Sequence, residues 1–139
     1  MTQTTPLAQR IQQFYDTSSS IWEQTWGEHM HHGYYGHDGQ HRKDRRQAQI
    51  DLMEVLLNWA QVSAANTILD VGCGIGGSTI YLAKKFDAQA VGITLSPVQA
   101  KRAGERAAEL GVTLQAWENF DQSTEPAVQF PVTIALSTP

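Results

Sequence analysis

T-I-L-D-V-G-C-G-I-G-G-S, residues 67 to 78, decides how the rest of the chain is read. Thr67, Ile68, Leu69 and Val71 are apolar or β-branched, the pattern of a short strand buried in a parallel sheet. Four glycines follow, Gly72, Gly74, Gly76 and Gly77, and S-T-I-Y-L-A-K-K-F then reads as a helix. A strand, a glycine turn and a helix N-terminus bring bare backbone and free amide donors to one place. A nucleoside can approach such a place closely.

Gly72, Gly74 and Gly77 also spell G-x-G-x-x-G, the dinucleotide fingerprint, a weak signal by itself. Two details separate the ligands it could serve. Asp70 puts a carboxylate at the strand end, where a cation is welcome and a pyrophosphate is not. The acid that a nicotinamide dinucleotide site places on its ribose, roughly 20 residues on, is missing; the next strand, A-V-G-I-T-L, has Thr94 near that place. S-adenosyl-L-methionine, with its sulfonium and ammonium charges, fits these residues better than NAD. The plain alternative is an ordinary glycine-rich βα turn with no ligand.

Working outward, 139 residues suffice for one domain with a real core. A hydrophobic share of 41% and a charged share of 17% describe an ordinary globular chain. The net charge of -4 gives no electrostatic case for nucleic acid, and the local run Arg42-Lys43-Asp44-Arg45-Arg46 reads as a solvated loop and helix start. Cys73 is the only cysteine, which excludes an intrachain disulfide, and no base is tied to it, so packing suits it better than nucleophilic attack. No basic and apolar leader opens the chain and no apolar run reaches the ~18 residues of a membrane span. The expectation is a soluble, cytoplasmic protein, open to peripheral contact with a membrane.

Upstream, Leu7, Ile11, Phe14 and Tyr15 predict a short amphipathic helix that D-T-S-S-S interrupts. From Ile21 to Gly39, Trp22, Trp26, Tyr34 and Tyr35 alternate with His29, His31, His32 and His37 among glycines, a loop-like covering segment. The spacing of His29, His31 and His32 does not set three imidazoles on one helix face, which disfavours a metal and favours a lid or an aromatic–histidine cluster. Asp44 caps a helix expected from Arg45 to about Val62, with Ile50, Met53, Leu57 and Ala60 on one side. Downstream come a helix to Phe86, a strand Ala90 to Leu95, a helix Pro97 to Leu110 capped by Ser96, and a strand Val112 to Trp117. Such β-α-β-α-β spacing specifies a parallel sheet with right-handed crossovers.

Several blocks together resemble one family. F-Y-D-T-S-S at 14 to 19, W-G-E-H-M-H-H-G-Y-Y at 26 to 35 and D-R-R-Q-A-Q-I-D-L at 44 to 52 join I-L-D-V-G-C-G-I-G-G-S and G-I-T-L-S-P-V-Q-A. The chain is similar to class I S-adenosylmethionine-dependent methyltransferases, and above all to the gamma-tocopherol methyltransferase group. That resemblance implies the N-terminal part of a doubly wound, Rossmann-like α/β fold, three strands of it, with cofactor over the C-terminal ends of the first two. It implies contacts to S-adenosyl-L-methionine from Asp70, Gly72, Cys73, Gly74, Gly76, Thr94, Leu95 and Gln99. Methyl transfer to an aromatic carbon of a prenylated phenol or quinol is the implied reaction. A base for the phenolic proton would be sought among His29, His31, His32, Tyr34 and Tyr35, with none singled out. Benzoquinols, sterols and alkaloid nitrogens are the neighbouring acceptor classes.

The likeness fades near residue 114, and 118–139 reads as an atypical tail following a cap segment (1–43) and a cofactor-binding unit (44–117). The expectation is a chain truncated or frame-shifted after about residue 114, with its first strand left as an apolar edge. Methyl transfer by this chain alone is then doubtful, and its rival is a non-catalytic module that holds S-adenosylmethionine or a partner.

Overall fold

The computed structural model describes residues 6–118. They form α1 (Pro6–Trp26), α2 (Arg45–Trp59), β1 (Thr67–Val71), α3 (Gly77–Phe86), β2 (Gln89–Thr94), α4 (Pro97–Glu109) and β3 (Leu114–Glu118). The 3-stranded sheet is parallel, in the order β1-β2-β3. Val71 pairs with Ile93 and Thr94 with Glu118, so the C-terminal ends of all three strands share one rim. That rim carries the glycine loop. The tail from residue 119 onward lies outside the described residues.

The core forms where the apolar sides of helix and sheet meet. Ile68 of β1 and Ala90 of β2 pack with Leu57 of α2 and with Leu82 and Ala83 of α3. Caps act as their residue types dictate: Asp44 accepts a hydrogen bond from the Gln47 amide at 3.2 Å and Ser96 from the Gln99 amide at 3.1 Å. α2 stops at Trp59, short of the expected Val62, because Gln61 turns left-handed at φ +56° just beyond Ala60. Its buried side is Ala48, Gln49, Met53 and Leu57, whereas Ile50 is half-buried and Ala60 exposed.

α1 corrects the expectation of a short helix ended by D-T-S-S-S. The helix runs through that stretch to Trp26, and the chain leaves it at Gly27, φ +80°. Hydroxyls that usually compete with a helix here donate to carbonyls one turn back. Thr17 donates to Gln13 O at 2.8 Å, Ser18 to Phe14 O at 2.6 Å and Ser19 to Tyr15 O at 2.5 Å. α1 also turns a polar face inward: Asp16 accepts from the Ser96 hydroxyl at 2.5 Å, and Glu23 takes the Arg102 guanidinium at 2.8 Å. Leu7, Phe14 and Ile21 are left exposed. No described helix is long and apolar enough to cross a membrane.

Candidate functional site

The glycine loop is stitched to its neighbour strand: the amides of Gly72 and Cys73 both donate to Ile93 O, at 2.8 and 3.0 Å. Gly72 and Gly74 hold φ of +81° and +54°, and among the described residues, flanking ones aside, no atom lies within 4 Å of where a β-carbon on either would sit. Their bare faces look into open space, the cradle expected for a close ligand. Gly76 differs. A β-carbon there would press on the Ala103 methyl at 3.1 Å, so its bareness serves packing against α4. Gly77 serves packing too, since a side chain on it would collide with the Glu28 carbonyl.

Asp70 ends the buried part of β1 with its carboxylate 3% exposed, accepting the Thr79 hydroxyl at 2.5 Å. Burial pushes its pKa up, against the Thr79 hydrogen bond and the nearby His31. Cys73 lies beside it, a thiol pushed up to about 12, first by burial and then by the Asp70 charge. That makes it a packed thiol rather than a thiolate nucleophile.

A cavity of about 320 Å³ opens over this loop. Asp70, Gly72, Cys73 and Gly74 form one wall, Leu52, Met53 and Leu56 of α2 another, and Glu28, His29, Met30 and His31 the third. Among the described residues no lysine or arginine lines it. The third wall is pinned in place. The Gln49 side-chain amide donates to the carbonyls of His29 at 2.5 Å and His31 at 2.9 Å. Arg106 of α4, buried, donates to Ile75 O at 3.1 Å and to the Glu28 carboxylate at 2.9 Å, and Arg46 grips the same carboxylate at 2.5 Å. Burial opposes the Glu28 charge, but the two arginines hold its pKa below the usual value.

The five candidate bases separate. His29 and His31 line the cavity; His32, Tyr34 and Tyr35 do not. His32 stands edge-on to Trp26 with ring centres 6.0 Å apart. Tyr34 takes Ala48 O through its amide at 2.7 Å, and Tyr35 O accepts from the His41 amide at 2.8 Å. His29 is 2% exposed and burial drives its pKa down to about 4, so it is neutral at pH 7. Thr94 and Leu95 at the end of β2 and Gln99 in the first turn of α4 also lie off this cavity, the Thr94 hydroxyl donating to the Gln99 side-chain carbonyl at 2.8 Å. Among the described residues no group of three or more His, Cys, Asp or Glu is arranged to hold a metal. Sequence reasoning missed Met30, Leu52 and Leu56 as lining residues and Gln49 and Arg106 as the pins. One signal was present: Gln49 is a polar residue set four before Met53 on an apolar helix face.

Residues 2–135 match the family described as mycolic acid cyclopropane synthetase, CMAS. The chain belongs to this family. The match runs past residue 118, across most of the stretch that the motifs leave unmatched. A relative named probable tocopherol O-methyltransferase, chloroplastic, from Oryza sativa subsp. japonica is 49% identical over 113 residues, 77% of this chain and 31% of that protein. The chain thus spans about a third of the length of the curated relatives it matches. The crystal structure of the [4+2]-cyclase SpnF superposes with a TM-score of 0.74 at 28% identity, covering 91% of this chain and 47% of SpnF. The mycolic acid cyclopropane synthase CmaA1, crystallised with SAH and CTAB, gives 0.67 at 26% identity over 85% of this chain and 43% of that one. The Rossmann-like α/β fold of these structural neighbours is the fold of the described residues.

Proposed function

We propose that this CMAS-family chain holds S-adenosylmethionine over its glycine loop and is part of a methyltransferase for a small-molecule acceptor. The observation that carries the reading is the bare backbone at Gly72 and Gly74, open to the cavity beside the buried Asp70 carboxylate. These residues suit the group. The sulfonium and ammonium charges meet a wall with carboxylates and no lysine or arginine, and the adenosine meets glycines that leave room for it. Asp70, Gly72, Cys73 and Gly74 take its methionine end, while Thr94, Leu95 and Gln99, at the same rim, take its ribose. CmaA1 crystallised with SAH supports this cofactor, S-adenosylhomocysteine being its demethylated product.

When bound, the cofactor supplies an electrophilic methyl group on sulfur. In-line attack on it needs placement and dryness more than proton transfer. Here Met30, Leu52, Met53 and Leu56 exclude water on the open side, and Arg106, Arg46 and Gln49 keep the cap segment in position. The finer reading takes its acceptor, a prenylated phenol or quinol, from the 49% identity to the rice protein named probable tocopherol O-methyltransferase, and the aromatic carbon as the methylated atom from the motif resemblance given above. An acceptor with a prenyl tail partitions into membranes, so peripheral membrane contact belongs to this finer reading. Two assays test it. Calorimetric titration with S-adenosylmethionine and with NAD should give heat for the first alone. Transfer of labelled methyl to gamma-tocopherol, measured for this chain and for a relative-length protein that contains it, tests the acceptor; no product from the longer protein would refute that choice.

A further inference from the structure

α1 faces the wrong way for an ordinary surface helix, which turns its apolar side inward. Its two acids face the body of the protein: Asp16 accepts from the Ser96 hydroxyl and Glu23 takes the Arg102 guanidinium. On the opposite side Leu7, Phe14 and Ile21 are each more than half exposed, and Ile11 is exposed with them. Steps of four, three, four, three and four residues join Leu7, Ile11, Phe14, Ser18, Ile21 and Thr25. That is the 3.5-residue repeat of a seam between two helices, narrower than the face a helix lays on a broad apolar surface. The hydroxyls in the seam are already satisfied: Ser18 donates to Phe14 O at 2.6 Å and Thr25 to Ile21 O at 2.8 Å. Among the charged residues of α1 only Arg10 is exposed.

We propose that α1 pairs, antiparallel, with α1 of a second copy of this chain. The order of side chains along the seam selects both the partner and the direction. In a parallel pair like meets like, so Phe14 would crowd Phe14 while Ser18 and Thr25 would form underfilled layers with their own copies. In an antiparallel pair that sets Phe14 opposite Ser18, one register fits throughout: Leu7 falls opposite Thr25 and Ile11 opposite Ile21. Large then meets small, or isoleucine meets isoleucine, and every layer fills evenly. Arg10 falls beside Gln24 of the other copy, whose side-chain carbonyl is an acceptor, and near the negative end of that helix's dipole. No like charges meet. A lipid surface has no layers to fill and would gain nothing from this alternation. The arrangement is isologous, so it closes as a dimer. One helix pair is a small interface, which sets the affinity on the order of micromolar.

Analytical ultracentrifugation tests the pairing on the 139-residue chain carrying Trp59→Lys and Val71→Lys, which blunt association through the open edge of β1. This chain should show a monomer–dimer equilibrium. Adding Phe14→Glu and Ile21→Glu should leave it monomeric with an unchanged cooperative melt, both residues being exposed. Disulfide trapping reads the direction, since the native Cys73 is buried. Leu7→Cys mixed with Thr25→Cys should yield a cross-linked dimer under mild oxidation, and either variant alone should not. Trapping of Leu7→Cys with itself would overturn the antiparallel register. A chain that stays monomeric at about 100 µM, well above a micromolar dissociation constant, or a dimer that survives the two glutamates, would overturn the seam. Co-sedimentation with phosphatidylcholine–phosphatidylglycerol vesicles, lost with the same glutamates and without a dimer in solution, would overturn it in favour of a lipid surface.

Discussion

At the scale of single residues, two glycines three positions apart do different work. A β-carbon on Gly74 would meet nothing within 4 Å, whereas one on Gly77 would collide with the Glu28 backbone. Gly74→Ala should therefore cost ligand affinity, tenfold or more by a clash of about 1.4 kcal/mol. Its stability cost should stay near the ~1–2 kcal/mol of a left-handed alanine. Gly77→Ala should lower the melting temperature much further, because the cap segment must move; calorimetry and thermal melts on both variants check the contrast. His29 supplies a pH test. With its folded pKa near 4 and an ordinary value of 6.5, the unfolded chain takes up a proton that the folded chain refuses. Stability from this group is whole above pH 6.5 and is lost as pH falls toward 4. Asp70, its pKa raised by burial, acts in the opposite direction, so the comparison must be with a variant. The parent should lose more melting temperature between pH 7 and 5 than His29→Asn does. Cys73, at about 12, should resist iodoacetamide at pH 8 in the folded chain and react once it is unfolded.

At the scale of elements, the cap segment is fixed to the glycine loop mainly by one buried cation. Arg106 reaches Ile75 O and Glu28 with its side chain 8% exposed, while Arg102 meets Glu23 at 36% exposure. Arg106→Met should destabilise by about 3 kcal/mol, in the range for breaking a buried pair, and Arg102→Met by less than about 1 kcal/mol. Denaturant titrations of the two variants decide it. These contacts mark the limit of what the sequence discloses. Every strand and the caps Asp44 and Ser96 were legible because periodicity and capping are local. The length of α1 was not, since Thr17, Ser18 and Ser19 could as well have left the helix as bonded back into it. Asp70, Gly72, Cys73 and Gly74 were readable from the motif, and the structure sets them on one wall. The wall from α2 was not readable, because Leu52 and Leu56 look like any helix core until the chain is folded. The partition of the histidines depended on Gln49, 18 residues from His31, and on Arg106, 78 residues from Glu28, which no local pattern reports.

At the scale of the whole molecule, β1 has β2 as its one neighbour among the described residues, and Val71 at its end is 43% exposed. Trp59 of α2 is 83% exposed and Leu56 38%. An open strand edge and bare apolar side chains each favour self-association. Light scattering should show mass rising with concentration, and Trp59→Lys with Val71→Lys should reduce it; a parent monodisperse across that range would show the edge to be protected. The central claim concerns the cavity over the glycine loop, and calorimetry on the 139-residue chain tests it directly. Titrated with S-adenosylhomocysteine, the chain should give a saturable heat at one site, which Gly74→Val abolishes while NAD gives none. Saturable binding of NAD, or no binding of S-adenosylhomocysteine by a chain that melts cooperatively, would contradict the account.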